Sequence, residues 1–360
     1  MRVLPDSVLL LVGCMALAPR DAAAQPLSLG RAAIELVAAA ATTSEGPDDP
    51  FLVLDVATTF RLTDGVDVIV RPYARRLPGG DWDALFYQAE IRYQPAENVR
   101  VDAGIITSPF GLATLQLRPD LNPTVAYPFY YFTRLPAFDE YANQVQVLSG
   151  GYPLGAVVSM SGARWDARAG ITDSTPARYR KIFARNAPGP MAQLVAGGGI
   201  TPWPGFRIGG AIANGRYRTS SETKYYGLPE DGATLSDASV LVMNIEAEWS
   251  YGHTRLAGEW VRDRFDTAGR PAISRAFYVQ GVQTLTPRVF AAARVTRAST
   301  PVRLGSGYAR WSRSAMEVTA GYRLTPELTL RAGYEGERRF GVSGWNHAAV
   351  ASVVWARRWF

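Results

Sequence analysis

Apolar and polar residues alternate with a period of two along most of this chain. Ala89, Ile91 and Tyr93 alternate with Gln88, Glu90, Arg92 and Gln94. Val99, Val101, Ala103 and Ile105 alternate with Arg100, Asp102 and Gly104. The same order recurs in Met243, Ile245, Ala247 and Trp249 against Asn244, Glu246 and Glu248. It recurs again in Met316, Val318, Ala320 and Tyr322 against Glu317, Thr319 and Arg323, and in Leu328, Leu330, Ala332 and Tyr334 against Thr329, Arg331, Gly333 and Glu335. Val289, Ala291, Ala293 and Val295 share a face opposite Arg294 and Thr296, with Phe290 and Ala292 interrupting the polar side. Successive side chains of a strand point to opposite faces, so each segment has one apolar and one polar face.

The pattern predicts strands over 31–42, 51–62, 66–76, 83–94, 98–107, 143–162, 165–174 and 191–202. It continues over 206–218, 238–250, 254–266, 272–285, 289–300, 308–324, 328–340 and 347–360. That makes about sixteen, with eighteen as the alternative count. The segment 143–162 contains Gly150-Gly151-Tyr152-Pro153, which reads as a bulge or a break. Counting it as two strands gives an odd total and puts the chain ends on opposite sides, so the even count is preferred.

A soluble sandwich also alternates. Three features favour a closed transmembrane antiparallel barrel. The segments run to about 10–14 residues, which suits a tilted membrane crossing better than the ~5–6 of globular strands. Charges sit in mid-strand on the polar faces, as a wet lumen allows. Connections also alternate between short and long. Thr63-Asp64-Gly65, Pro95-Ala96-Glu97-Asn98, Trp203-Pro204-Gly205, Tyr251-Gly252-His253, Thr286-Pro287-Arg288 and Thr325-Pro326-Glu327 are tight turns. Between them lie longer links at 43–50, 77–82, 108–142, 175–190, 219–237, 267–271, 301–307 and 341–346. Short periplasmic turns and longer outer loops are the asymmetry of outer-membrane barrels. Trp203, Trp249, Tyr251, Tyr322 and Tyr334 fall near strand ends, where aromatic girdles lie.

The N-terminus predicts export. Arg2 precedes an apolar run over 8–18, shorter than the ~20 residues of a membrane helix. Ala22-Ala23-Ala24 then offers a cleavage site, so 1–24 reads as a signal peptide and 25–360 as the barrel. Leu11-Val12-Gly13-Cys14 is a rival lipoprotein box; otherwise Cys14 is an apolar residue of the signal core. Without that signal the chain has no cysteine, hence no disulfide and no thiolate metal site. No stretch approaches a helical membrane span, and the first strand starts too early to leave room for an N-terminal plug. The chain stops at Phe360, an aromatic end like the assembly signal of outer-membrane barrels, although Arg358 stands where a second aromatic is common.

The net charge of +6 comes almost wholly from arginine, since Lys181 and Lys224 are the only lysines. No recognition helix, zinc spacing or aromatic RNA motif accompanies it, so no nucleic-acid partner is expected. Nor is any metal or other cofactor expected. His253 and His347 are far apart and neither sits in a nucleophile arrangement. Glu222, Glu230, Asp231 and Asp237 lack calcium-loop spacing.

The longest non-alternating stretch, 108–142, is rich in proline and aromatics, including the run 127–132. A loop this long in a compact domain is usually functional. The segment Gly104-Ile105-Ile106-Thr107-Ser108-Pro109-Phe110-Gly111, running out of the fifth strand into it, resembles bacterial porins, especially the phosphate-selective porin family. That resemblance implies a loop folded into the barrel, narrowing a pore. The lysine-rich loop of that family has no counterpart, since 108–142 contains no lysine. Parity puts Arg71, Arg92, Arg100, Arg294 and Arg331 in the lumen, and Arg118 and Arg134 on the loop. Acidic partners are Glu90, Asp102, Glu246, Glu248, Glu317 and Glu335, with Asp139 on the loop. Arginine rings in a pore favour anions; opposed arginine and carboxylate rows set a transverse field. Each arginine is equally a wall residue paired across strands.

The expectation is a passive outer-membrane porin for small polar or anionic solutes, in contact with outer-membrane lipid and with a homotrimer as its assembly. A barrel enzyme, and an adhesive or structural barrel with a closed lumen, are the alternatives.

Overall fold

The computed structural model describes residues 32–45, 49–112, 118–126, 134–136, 144–146, 152–173, 193–216, 239–265, 271–304 and 307–359. The proposed signal peptide, lipoprotein box and terminal Phe360 lie outside the described residues, as do Asp139, the run 127–132 and the acidic loop 219–237.

The first strands are β1 (Ala32–Thr43), β2 (Phe51–Thr63), β3 (Val66–Arg76), β4 (Trp82–Ala96) and β5 (Val99–Ile105). A short pair follows, β6 (Arg134–Pro136) and β7 (Gln144–Gln146). Then come β8 (Leu154–Ser161), β9 (Trp165–Thr172), β10 (Gln193–Trp203), β11 (Phe206–Arg216) and β12 (Ser239–Tyr251). The series ends with β13 (Thr254–Phe265), β14 (Ala272–Thr284), β15 (Val289–Leu304), β16 (Gly307–Arg323), β17 (Leu328–Arg339) and β18 (Asn346–Trp359). All but β6 and β7 form one closed antiparallel barrel of 16 strands, in which β5 pairs with β8 and β1 closes against β18. Closure leaves no edge strand, which a membrane interior requires.

One expected strand is corrected. Of the described residues of 143–162, only Leu154–Ser161 joins the barrel, while Gln144–Gln146 pairs instead with Arg134–Pro136. Pro153 has no N–H to give a ladder, and its carbonyl accepts the Ile106 N–H at 2.9 Å, so pairing with β5 begins just beyond it. The count of sixteen therefore stands.

The barrel is apolar outside and polar inside. On β12, Ile245 is 57% exposed, while its neighbour Glu246 is 1% exposed. Val158, Leu194, Val279 and Val318 are likewise exposed, and Asp102, Gln193, Gln280 and Thr319 are buried. Such a wall of exposed aliphatic side chains needs lipid around it. The protein is an outer-membrane β-barrel. At the short-turn end, where β1 begins and β18 finishes, aromatic pairs mark the rim: Trp203 stacks on Phe206 at 4.7 Å and Trp249 on Tyr251 at 6.1 Å. Replacing Ile245 with Arg, at mid-strand, is expected to cost roughly 2–4 kcal/mol of barrel stability in phospholipid vesicles; Tyr251→Arg, at the rim, about 0–1 kcal/mol. Urea titration of the two variants checks the contrast.

Two glycines are required by geometry. Gly205 has φ +85° in the turn between β10 and β11, and a side chain there would strike the Ser250 carbonyl. Gly104 has φ +125° within β5, where a Cβ would strike the Ala89 carbonyl. Gly104 lies just before the chain leaves the wall.

Candidate functional site

Beyond Ile105 the chain turns into the lumen. Ile106 and Phe110 are fully buried, and the Ser108 hydroxyl oxygen accepts the Phe110 N–H at 3.2 Å to tighten the turn. The segment then meets the wall formed by β9 and β11 to β13. The Arg168 guanidinium donates to the Pro109 carbonyl, and the Leu112 N–H donates to Glu259 Oε2 at 3.3 Å. Gly111, at φ +76°, passes so near the Glu259 carboxylate that a Cβ would strike it.

That wall is an interlocked charge network. Arg207 forks onto Asp166 at 2.8 and 2.9 Å and reaches Glu246 at 2.8 Å. Arg168 meets the same Glu246 at 3.3 Å, and the Asn244 amide donates to Glu259 at 2.8 Å. Gly199 and Gly209 leave the space in which the Arg207 guanidinium lies, since a Cβ on either would crowd its Nη2 at 2.7 and 3.1 Å.

The described part of the segment resumes at Arg118, which pairs with Glu35 of β1 at 2.9 Å and with Asp120 at 2.7 Å. The pull of those two carboxylates outweighs burial and raises the Arg118 pKa, so it stays charged. The chain then crosses to β15, β16 and β17. Arg331 donates to three backbone carbonyls, those of Pro119, Asn122 and, at 2.8 Å, Thr124. Arg294 donates to the Ala126 carbonyl and to Asn122 Oδ1 at 3.3 Å, and pairs with Glu317 at 3.2 Å. Glu317 accepts the Val125 N–H at 2.6 Å and the Thr319 hydroxyl at 2.9 Å. Inside the segment, Asn122 binds the Thr124 hydroxyl at 2.9 Å and the Ala126 carbonyl at 3.0 Å. The described parts of the segment, 106–112 and 118–126, thus form a crosspiece tied to three parts of the wall.

Arg71 is fully committed elsewhere. It is buried on Asp55, at 2.8 Å from Nε, and donates to the Tyr152 hydroxyl at 2.9 Å. Tyr73, Tyr87 and Tyr152 stack at 4.0 and 4.5 Å, with the guanidinium 5.4 and 5.6 Å from the last two rings. Val37, Ala39, Val53 and Val354 pack beneath them. Arg92 bridges Glu90 at 2.9 Å and Asp102 at 2.8 Å, and Arg100 meets Asp102 at 2.9 Å. The backbone of Arg134 lies in β6, away from the barrel ladder. Glu248 pairs with Arg255 at 2.6 Å near the short-turn rim.

Most of the candidates named from parity and from the loop therefore fall into three groups. Arg294, Arg331, Arg118 and Glu317 hold the crosspiece. Arg71 belongs to a buried tyrosine cluster. Arg92, Arg100, Glu90 and Asp102 form one lumen patch. Parity alone also marks Arg168 and Arg207 in their strands, but their partnership with Glu246 and their grip on Pro109 need the folded chain. Glu35, Asp55 and Glu259 were missed because their role depends on partners far away in sequence.

No known family description matches this chain, and no curated protein does either. Solved structures do. The anion-selective porin from Comamonas acidovorans superposes with a TM-score of 0.58 at 10% identity, covering 91% of this chain and 98% of that one. OmpF of Salmonella typhi, in complex with daunomycin, gives 0.58 at 12% identity, covering 91% and 97%. The trimer form of OmpT, an outer membrane protein of Vibrio cholerae, gives 0.54 at 9% identity, covering 91% and 98%. At such identities the likeness is one of fold: this chain has the fold of the bacterial porins.

Proposed function

We propose that this outer-membrane barrel is a passive diffusion porin for small polar solutes, with a modest preference for anions. The observation that carries it is the crosspiece, whose described parts lie in a 16-stranded lumen and are held by Arg168 of β9 on one side and by Arg331 of β17 on the opposite side; on this reading it narrows the passage. Barrels of this size enclose water rather than a side-chain core.

The preference for anions follows from how the ion pairs are layered. The Arg100 side chain is 46% exposed over Asp102 at 9%, and Arg92 is more exposed than either of its carboxylates. Arg168 and Arg207 similarly overlie a buried Glu246, although Asp166 is more open than Arg207. A passing ion meets guanidinium first. Phosphate itself is not singled out, since Arg92, Arg100, Arg168 and Arg207 are each already shared with carboxylates. His253 lies in a turn and His347 faces the Tyr334 hydroxyl, so neither supports a hydrolytic reading. A homotrimer, and removal of 1–24 on export, belong to the same proposal; cross-linking in native membranes and N-terminal sequencing, expected to begin at Gln25, test them.

Planar-bilayer recording under a salt gradient is the direct test. Stable ohmic steps are expected, with a reversal potential of anion sign. Converting both Arg92 and Arg100 to Gln is expected to move that potential toward cation selectivity without closing the channel. Folded, inserted protein that passes no current would falsify the porin reading; cation selectivity in the parent protein would remove only the anion preference.

A further inference from the structure

On the short-turn side of the crosspiece, the lumen holds a chamber of about 580 Å³. That is within the usual range of small-molecule sites, roughly 300–1,000 Å³. Leu121 and Pro123 of the crosspiece and Val282 of β14 give it an apolar side beside the charged groups of its lining. Leu121 is 49% exposed, on a crosspiece whose other end buries Ile106 and Phe110. An apolar side chain held open to water is a favourable contact for any apolar solute that covers it.

Two polar groups face the same space. Gln280 is 7% exposed and lines the chamber, and its carboxamide oxygen has no hydrogen-bond partner in the protein. A buried carboxamide oxygen without a donor costs stability, so its presence needs a reason. Arg323 lies over the Phe290 ring at 5.0 Å and donates one N–H to the Pro287 carbonyl at 3.1 Å. Gly321 makes room for that ring, because a Cβ there would collide with it. Among the described residues Arg323 has no carboxylate partner, whereas in the same lining Arg255 pairs with Glu248 at 2.6 Å, Asp120 pairs with Arg118 at 2.7 Å, and Arg331 is occupied by backbone carbonyls of the crosspiece.

We propose that this chamber is a subsite for small amphipathic anions carrying a flat apolar ring, one N–H or O–H, and one carboxylate. The ring covers Leu121, Pro123 and Val282. The donor satisfies Gln280. The carboxylate takes the open edge of Arg323, which is presented by its stacking on Phe290. The proposal deepens the porin reading and rests on it for the route by which a solute arrives; binding itself is measurable without conduction.

Indole-3-acetate has all three features, and acetate has only the carboxylate. Calorimetry on the detergent-folded full chain is expected to show saturable binding of indole-3-acetate and none of acetate in the same range. Gln280→Leu and Leu121→Ser are each expected to weaken that binding about five- to tenfold, and Arg323→Gln about tenfold. Gln280→Leu removes a buried carboxamide oxygen that has no donor, so this variant is expected to fold at least as well as the parent. Equal affinity for the two ligands overturns the subsite, as does undiminished binding in both Gln280→Leu and Leu121→Ser. Bilayer recording separates the two claims. A chain that conducts but fails to bind sinks the subsite and leaves the porin. A chain that binds but never conducts sinks the porin and keeps the subsite.

Discussion

Replacing Arg331 with Ala is expected to raise single-channel conductance and to lower barrel stability by about 3 kcal/mol or more. The guanidinium serves the carbonyls of Pro119, Asn122 and Thr124 at once, from a position in the lumen wall that is almost fully buried. Each buried carbonyl left without a donor costs roughly 1–3 kcal/mol. Water entering the vacated space offsets part of that sum. The crosspiece keeps Arg294 and Glu317 on the same wall, so it loosens rather than leaves. A loosened crosspiece no longer fixes the passage, and current noise is expected to rise with the mean current. Arg331→Lys is the informative companion. One ammonium has three donors but not the planar fork that spans three carbonyls, so Lys recovers only part of the loss. An Arg331→Ala channel with parent conductance would show that the crosspiece does not set the width of the passage.

Removing Asp55 is expected to be the most damaging single change in the wall. Arg71 and Asp55 have side-chain exposures of 5% and 3%, and the tyrosine stack seals them from the passage. Asp55→Ala strands a guanidinium that cannot lose its proton. Breaking a buried pair from one side costs about 3–5 kcal/mol. The double change Asp55→Ala with Arg71→Met removes both charges, and much of the loss is expected to return. Met fills irregular apolar space, and the neighbours Val53, Tyr73 and Tyr87 already pack as a cluster. Urea midpoints in vesicles for the two single variants and the double give the coupling directly. Ion selectivity is expected to stay near the parent value throughout, because Arg71 does not face the passing ion. If the double variant proves no more stable than Asp55→Ala, the pair is not what makes the single change costly.

These two expectations separate two uses of arginine that look alike in the sequence. Arg71, Arg294 and Arg331 occupy the lumen parity, and all three are consumed by protein partners. Arg92 and Arg100 share that parity and keep an open edge. A strand pattern assigns a face but not a neighbour. Whether an arginine meets a solute or a backbone carbonyl depends on what else the chain brings into the lumen.

The period of two by itself determined the barrel. The even count, the lipid face and the lumen face follow from where side chains of alternate residues must point, and from tight turns that fix the register. The strand limits read from it err at 143–162, of which only Leu154–Ser161 joins the barrel, and at the expected link 301–307, where β15 runs on to Leu304 and β16 starts at Gly307. Local chemistry also marked where the pattern fails: Pro153 interrupts pairing, and Gly104 and the Ser108-Pro109-Phe110-Gly111 turn let the chain leave the wall. Only the tertiary structure decided where the departing segment goes. Its anchors are contacts between residues as far apart in sequence as Pro119 and Arg331, which are 212 positions apart. Such contacts have no period and leave no trace in any short window of sequence. They exist because a closed barrel brings every wall within reach of a crosspiece whose backbone carbonyls, once out of the ladder, must find donors.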